Sequence, residues 1–252
     1  MPITHTISDG IAEVVMDNPP VNALDVAGWF ELAETVRALG EDPAVRVLVL
    51  RAEGRGFNAG VDIKEMQATE GHTALIGANR GCYAAFAAVY DCAVPVIAAV
   101  NGFCLGGGIG LVGNADIIVA ASDATFGLPE VDRGALGAAT HLARLVPQHK
   151  MRAMVYTSAT ATAAELHHFG SVLEVVEPGE LRAAAMRIAA QIAEKSPSVI
   201  RAAKESLNGI DPVDVKRSYR FEQGFTFELN LSGVSDEARD AFVEKRDAEF
   251  DR

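Results

Sequence analysis

The segment Ala98–Gly113 reads Ala-Ala-Val-Asn-Gly-Phe-Cys-Leu-Gly-Gly-Gly-Ile-Gly-Leu-Val-Gly and constrains the fold more than any other stretch. The apolar run Val94 to Val100 predicts a buried strand. Asn101-Gly102 makes a polar turn, after which Gly106 to Gly108 open an apolar segment. Consecutive glycines cost conformational entropy on folding, so a domain that keeps them uses the missing Cβ atoms. Either the turn only packs tightly, or its backbone approaches a ligand. In the second case free N–H groups at a helix start suit an anion, whether a phosphate or a developing oxyanion.

The same residues contain a formal GxGxxG, Gly108-Ile-Gly110-Leu-Val-Gly113, with Glu130 at about the distance expected of a ribose-binding acid. The context does not support a dinucleotide site. The loop between strand and glycines is too long, and Gly107 to Asn114 is too short for a crossover helix before the next strand, Asp116 to Ala121.

A chain of 252 residues with 49% hydrophobic content buries a full core, as one large domain or one domain plus an appendage. No apolar run is long enough to span a bilayer, and Met1 to Gly10 lacks the pattern of a signal peptide. Cys82, Cys92 and Cys104 form no CxxC, which points to reduced thiols and a cytoplasmic setting. The net charge of −12 argues against nucleic acid. His167-His168 are adjacent without a carboxylate at ligand spacing, so no metal site is expected.

Strands are expected at Ile11 to Met16, Val45 to Leu50, Val94 to Val100, Ala115 to Ala121 and Val172 to Val176. Ala23 to Gly40 has apolar residues at helical spacing, and Asp62 to Asp91 reads as helix interrupted near Thr69 to Gly71. Thr125 to Pro129 reads as a turn-rich link. The recurrence of strand, loop and helix suggests stacked ββα turns. From Leu142 the chain becomes helical, with a capping box at Thr162-Ala-Ala-Glu165 and a stop at Gly170. Leu181 to Lys195 is an alanine-rich helix. Ser196-Pro197 and Asp211-Pro212 each place a capping residue before a helix-starting proline, and a last helix runs from about Asp236 to Lys245. Phe221, Phe225, Phe227 and Leu231 suit either an interface or packing within the chain.

The blocks Asn18-Pro-Pro-Val-Asn-Ala-Leu24, Gly54-Arg-Gly-Phe-Asn-Ala-Gly-Val-Asp-Ile-Lys-Glu-Met66, Val100-Asn-Gly-Phe-Cys-Leu-Gly-Gly-Gly108, Phe126-Gly-Leu-Pro-Glu130 and Asp240-Ala-Phe-Val-Glu-Lys-Arg246 occur in order along nearly the whole chain. Together they resemble the enoyl-CoA hydratase/isomerase (crotonase) family. That resemblance implies an α/β fold: a spiral of ββα turns over residues 1–195 carrying an acyl-CoA site, and a helical trimerisation region over 196–252. It implies a homotrimer or a dimer of trimers, an acyl-CoA thioester substrate, and no permanently bound cofactor beyond the coenzyme A of the substrate. The backbone N–H groups of Val61 and Gly107 would form the oxyanion hole.

Hydratases of the family use two glutamates to hold one water. The second matches Glu130, but the first aligns with Gly110, which has no side chain, and the acid of the dienoyl-CoA isomerase pattern aligns with Ala138. Glu130 remains as the acid/base candidate, with Asp62, Asp132 and His141 as possible helpers. Asp62 also suits a helix cap, Asp132 and Arg133 a solvated turn or local ion pair, and His141 a packed histidine. Lys64, Lys204, Lys245 and Arg246 are candidates for the phosphates of coenzyme A. The runs Arg51 to Met66, Gly127 to Leu142 and Glu222 to Asn230 are similar, more tightly, to the members of the family that open a ring in actinobacterial steroid breakdown. That implies hydrolytic carbon–carbon (retro-Claisen) cleavage of a bicyclic β-keto CoA thioester through a stabilised enolate, with Gly110 leaving room for a fused ring. The alternatives are an enoyl-CoA hydratase/isomerase of fatty-acid oxidation and a non-catalytic CoA-binding subunit.

Overall fold

The computed structural model describes residues 2–249. The chain opens with an antiparallel hairpin, β1 (Ile3–Ser8) and β2 (Ile11–Met16), turned at Asp9-Gly10. Helix α1 (Val26–Glu41) follows, capped by the Asp25 carboxylate, which accepts from the Gly28 N–H. The next turn of the spiral is β3 (Val47–Ala52), α2 (Ile63–Ala68) and α3 (Thr73–Tyr90). The third is β4 (Val96–Val100), β5 (Phe103–Leu105) and α4 (Gly107–Val112). The fourth starts with β6 (Ile117–Ala121) and β7 (Thr125–Gly127), then passes through a 3-10 turn at 131–133 into α5 (Ala139–Leu142) and α6 (Gln148–Thr157). After β8 (Thr160–Thr162), α7 (Ala163–His168) and β9 (Glu174–Val176) come α8 (Leu181–Ala193), α9 (Pro197–Gly209), α10 (Val215–Leu231) and α11 (Val234–Glu244).

The main sheet has the order β1-β2-β3-β4-β6-β9, parallel from β2 onward. Parallel neighbours need crossovers, and the intervening helices supply them. The sheet is covered on both faces. Leu48, Leu50, Val96 and Ala98 pack with α1 and α3 in the main core, while Val47, Val49, Ile97 and Ala99 pack on Leu181, Ala185, Ile188 and Ala189 of α8. Burial on both faces explains why these strands read as continuous apolar runs.

A smaller sheet, β5-β7-β8, lies beside it. Two isolated parallel bridges, Leu24 to Val61 and Asn58 to Cys104, continue that layer toward the earlier turns. Thr125 to Gly127, read as part of a link, is therefore a strand. It pairs in register with β5 and β8, and three residues are too few to show a period. Strand β1 also escaped the sequence reading, because at the sheet edge only Ile3 is buried. The capping box closes as expected, with the Thr162 hydroxyl and the Glu165 carboxylate each satisfying the other's backbone N–H. The Asp211-Pro212 expectation fails: Asp214 caps α10 instead, and Asp211 pairs with Arg144. Among the described residues no helix is long and apolar enough to cross a membrane.

Glu13 ties three elements together. Lying on β2 and buried, it accepts from Arg182 of α8 at 2.7 Å through both oxygens and from Arg51 of β3. The Arg182 hydrogen bonds, aided by those from Arg51, outweigh burial and hold its carboxyl down to about 2 from the usual 4.5. A depressed carboxylate contributes stability above its unfolded pKa, and that stability is lost as the pH falls through the folded value. Denaturant titrations between pH 5 and pH 2 should therefore show a loss of at most about 3 kcal/mol that Glu13→Gln does not show.

Candidate active site

Two glycine turns meet at the edge of the smaller layer. The first, Asn58-Ala59-Gly60-Val61, is fixed by the buried Asn58. Its Oδ1 accepts from the Gly60 N–H at 2.8 Å, its Nδ2 donates to the Asn22 carbonyl, and its own carbonyl accepts from the Leu105 N–H at 2.9 Å. Asn22 is held in turn by donating to the carbonyls of Glu53 and Gly56. The second turn is Gly106-Gly107 at the start of α4, where Gly106 donates to the Gly127 carbonyl at 3.1 Å.

Gly60 and Gly106 have φ of +91° and +57°, which favour glycine. Close approach adds to that demand. A Cβ on Gly60 would lie 3.1 Å from the Gly107 nitrogen, and one on Gly107 would lie 2.7 Å from the Trp29 ring beneath it. With the backbones so close, Val61 and Gly107 come to the same cavity wall, and each has a backbone N–H there. Neither donates to a protein acceptor among the described residues. Paired, preorganised donors of this kind stabilise an oxyanion.

Glu130 reaches the same spot because β7 pairs with β5. Leu105 sits opposite Gly127, so the segments leaving the two strands, Gly106-Gly107 and Leu128-Pro129-Glu130, emerge side by side. A Cβ on Gly106 would lie 2.7 Å from Glu130 Oε1, so the glycine is what lets the carboxyl settle over the turn. Glu130 Oε2 is buried and has no hydrogen-bond partner in the protein. Burial pushes the carboxyl up to about 7, against the smaller opposing effects of its own backbone and of Arg133. An acid in this range exchanges protons near neutral pH.

These groups face a mainly apolar cavity of about 640 Å³. Val61, Gly107, Glu130, Asp62, Lys64 and Lys245 all lie on its wall. Asp62 caps α2 by accepting from the Lys64 N–H at 2.9 Å, which accounts for its carboxylate structurally. Helices α10 and α11 close the cavity from the far end of the chain with Tyr219, Thr226, Asn230, Arg239 and Phe242. Glu222 and Thr226 of α10 also hold the loop that follows Glu130. The Glu222 carboxylate accepts from the N–H groups of Ala139 and Thr140, and the Thr226 hydroxyl bonds the Leu136 backbone.

Four expected site residues are not on the cavity wall. Asp132 is exposed, because the 3-10 turn points it outward. His141 lies behind Phe86 and Tyr219, with ring centroids 5.1 and 5.0 Å away, and neither ring nitrogen has a partner. Burial, with a smaller push from Arg144, brings it down to about 3, so it stays neutral and packed. Lys204 is buried and paired with Asp116 at 2.8 Å, a structural tether from α9 to the start of β6. Arg246 is paired with Glu237 and Glu244.

The room expected at Gly110 is also absent. A Cβ there would lie 2.2 Å from Phe86 Cζ, so the Phe86 ring, itself on the cavity wall, occupies that space. Phe86, Cys82, Tyr219, Asn58 and Arg239 are residues that sequence reasoning missed. For Asn58 a signal existed, since an asparagine two residues before a glycine suits a turn closed by its own side chain. The others come from helices whose apolar spacing says only that a face is buried.

Two substitutions check these placements. Gly110→Ala should cost about 1–3 kcal/mol of stability by overpacking against Phe86, measured by denaturant unfolding. Lys204→Met should cost a similar amount, roughly 1–3 kcal/mol, by breaking a buried pair. It should leave the affinity for free coenzyme A, measured by calorimetry, within about twofold of the parent, an energy difference below 0.5 kcal/mol.

Residues 6–252 match the enoyl-CoA hydratase/isomerase family profile. A protein of Rhodococcus jostii (strain RHA1), the (7aS)-7a-methyl-1,5-dioxo-2,3,5,6,7,7a-hexahydro-1H-indene-carboxyl-CoA hydrolase, is 70% identical over 97% of this chain and 95% of its own length. The protein of the same name from Mycobacterium tuberculosis (strain ATCC 25618 / H37Rv) is 68% identical over 97% of this chain and 100% of its own. The crystal structure of carnitinyl-CoA hydratase from Mycobacterium avium superposes with a TM-score of 0.87 at 28% identity, covering 99% of this chain and 98% of that one. With the profile matched over residues 6–252 and the stacked ββα turns present in the fold, the chain belongs to the enoyl-CoA hydratase/isomerase (crotonase) family.

Proposed function

We propose that this protein is an acyl-CoA hydrolase that opens a ring of a bicyclic, steroid-derived dione carried as a CoA thioester; its relatives of 68–70% identity are named for a methyl-dioxo-hexahydroindene-carboxyl-CoA. The observation that carries the reading is a site with one unengaged acid, since Asp62, the other carboxylate on the wall among the described residues, is spent on capping α2. Glu130 stands buried beside two free N–H groups, and the aromatic Phe86 fills the space beside Gly110 where a two-glutamate hydratase would place its other carboxylate. A single acid with two backbone donors suits carbon–carbon cleavage better than hydration held between two carboxylates.

In this reaction the N–H groups of Val61 and Gly107 hold the thioester oxygen. Ionised Glu130 takes a proton from water as the water oxygen bonds to a ring ketone carbon. The adduct collapses, and the bond to the carbon conjugated with the thioester breaks. The electron pair moves onto that carbon and the thioester oxygen as an enolate, stabilised by the two N–H groups. Glu130, now protonated, returns the proton to carbon. One water is consumed, and the product keeps its coenzyme A while gaining a carboxylate.

The mainly apolar wall suits the fused rings, and the exposed Lys64 and the cavity-lining Lys245 suit the phosphates of coenzyme A. Residues 1–195 form the spiral that carries the acyl-CoA site, and the helical tail 196–252 is where copies meet as a trimer or a pair of trimers. Val199, Leu207, Ile210, Phe221 and Leu231, exposed along that tail, support this assembly. The enzyme works in the cytoplasm, as its reduced buried cysteines suggest.

The test is a mass-resolved assay with the bicyclic dione thioester and with crotonyl-CoA. Ring opening gives a product heavier by one water that still carries coenzyme A, with no free thiol released and no turnover of crotonyl-CoA. Thiol release, or fast crotonyl-CoA hydration, would overturn the reading. With the dione substrate, kcat/KM should rise with pH through a midpoint of about 7, because the base must be ionised. Glu130→Gln should lower kcat by about 10²–10⁴-fold and remove that limb.

A further inference from the structure

Hydrolysis of a ketone leaves a carboxylate where the ketone stood, and a mainly apolar cavity needs a cation to receive it. Four basic side chains line the wall: Lys64, Arg133, Arg239 and Lys245. Arg239 is already engaged by Asp236 and Asn230. Lys64 and Lys245 are exposed. Arg133 differs from all three. It is partly buried, and it stands one turn from Glu130 on the same 3-10 segment. Nη1 donates to the Pro129 carbonyl at 3.0 Å, and the guanidinium lies 4.2 Å from the centroid of the Phe242 ring of α11. Among the described residues it makes no ion pair, its neighbour Asp132 included. A guanidinium has five N–H groups, so one bond to Pro129 leaves most of the fork unused. Clamped between a carbonyl and an aromatic face, the fork is preorganised at little further entropic cost.

We propose that Arg133 is a second anion site of this cavity, which takes the oxygen of the attacked ring ketone as the alkoxide of the tetrahedral adduct and then holds the carboxylate of the opened product. The proposal rests on the ring-opening reading and divides the two negative charges of that reaction between two places. As water bonds to the ketone carbon and its proton passes to Glu130, the ketone oxygen gains the electron pair of its π bond beside Arg133. When the carbon–carbon bond breaks, that pair returns to reform the C=O of the new carboxylic acid. The pair from the broken bond goes to the enolate at the N–H groups of Val61 and Gly107. The acid then loses its proton to solvent, and its carboxylate meets the fork in a bidentate, charge-assisted pair.

The experiment uses the full-length protein and three variants, Arg133→Met, Arg133→Lys and Arg133→Gln, each checked for an unchanged melting profile. Steady-state kinetics are run on the bicyclic dione thioester. Calorimetry measures the binding of the ring-opened product, of its methyl ester and of free coenzyme A. The expected result for Arg133→Met is a loss in kcat of about 10²–10³-fold, as for removal of one oxyanion donor, with KM changed much less. Product affinity should fall at least tenfold, while methyl ester and coenzyme A bind as before, and Arg133→Lys should recover part of both losses. If the wild-type protein does not open the ring, the ring-opening reading itself fails. Ring opening by the wild type with unchanged kcat and product affinity in Arg133→Met would overturn the role of Arg133 alone. Equal losses for product, methyl ester and coenzyme A would make Arg133 a general binding residue and overturn it too. So would a shifted pH limb with an undiminished plateau, which would mean that Arg133 only tunes Glu130.

Discussion

The contact on which this site depends is the approach of two backbone turns with no side chain between them. Gly60 lies against Gly106 and Gly107, and Trp29 lies against Gly107 from below. A Cβ on Gly60 would crowd the Gly107 nitrogen, one on Gly107 would run into the Trp29 ring, and one on Gly106 would displace the Glu130 carboxyl. The Asn58 side chain keeps the first turn from relaxing, because its carboxamide is spent on the Gly60 N–H and the Asn22 carbonyl. With the Gly60 donor satisfied from within and the Asn58 carbonyl occupied by Leu105, the Val61 N–H is left over and faces the cavity. The free donor is thus a by-product of how completely its neighbours are paired.

Charge follows from the same geometry. Glu130 comes to rest over Gly106, where one carboxyl oxygen is buried without a partner. Desolvation favours its protonated form, and the nearby Arg133 opposes that only partly. The balance leaves a group able to take and return a proton near neutrality. His141, at similar depth, shows the opposite outcome of the same physics. Burial disfavours its charged form as well, but for a base this means permanent neutrality. Depth alone therefore does not make a proton carrier; the sign of the charge being buried decides.

Much of this was legible in the sequence. The apolar runs around Val47 and Val96 gave the central strands because burial on both faces leaves no polar alternation to confuse. The glycine triplet marked a close backbone approach, and the structure has one, with Gly60 against Gly106 and Gly107. What stayed hidden is long-range. Strand β7 has three residues, and its existence is decided by β5 and β8 on either side. Lys204, over eighty residues beyond Asp116, read as a candidate for a coenzyme A phosphate because no local pattern marks a buried ion pair. Phe86 and Tyr219 sit on helices whose spacing shows a buried face but not what that face touches.

Gly110 is the clearest case of a position whose meaning lies elsewhere. Read alone, a glycine in place of an acid suggests a gap. In the structure the gap is closed by Phe86, whose ring stacks edge-on to Trp29 at 5.7 Å and rests against His141 and Tyr219. An apolar column thus runs from beneath the oxyanion turn to the helix that closes the cavity. A carboxylate at 110 would have to displace that column, because a Cβ there already meets the Phe86 ring. Its absence removes one possible anchor for a water molecule, and the buried Phe86 ring takes that place in the cavity wall. The glycine at 110 and the aromatic ring at 86 therefore depend on each other, although two strands, β4 and β5, separate their helices in the sequence.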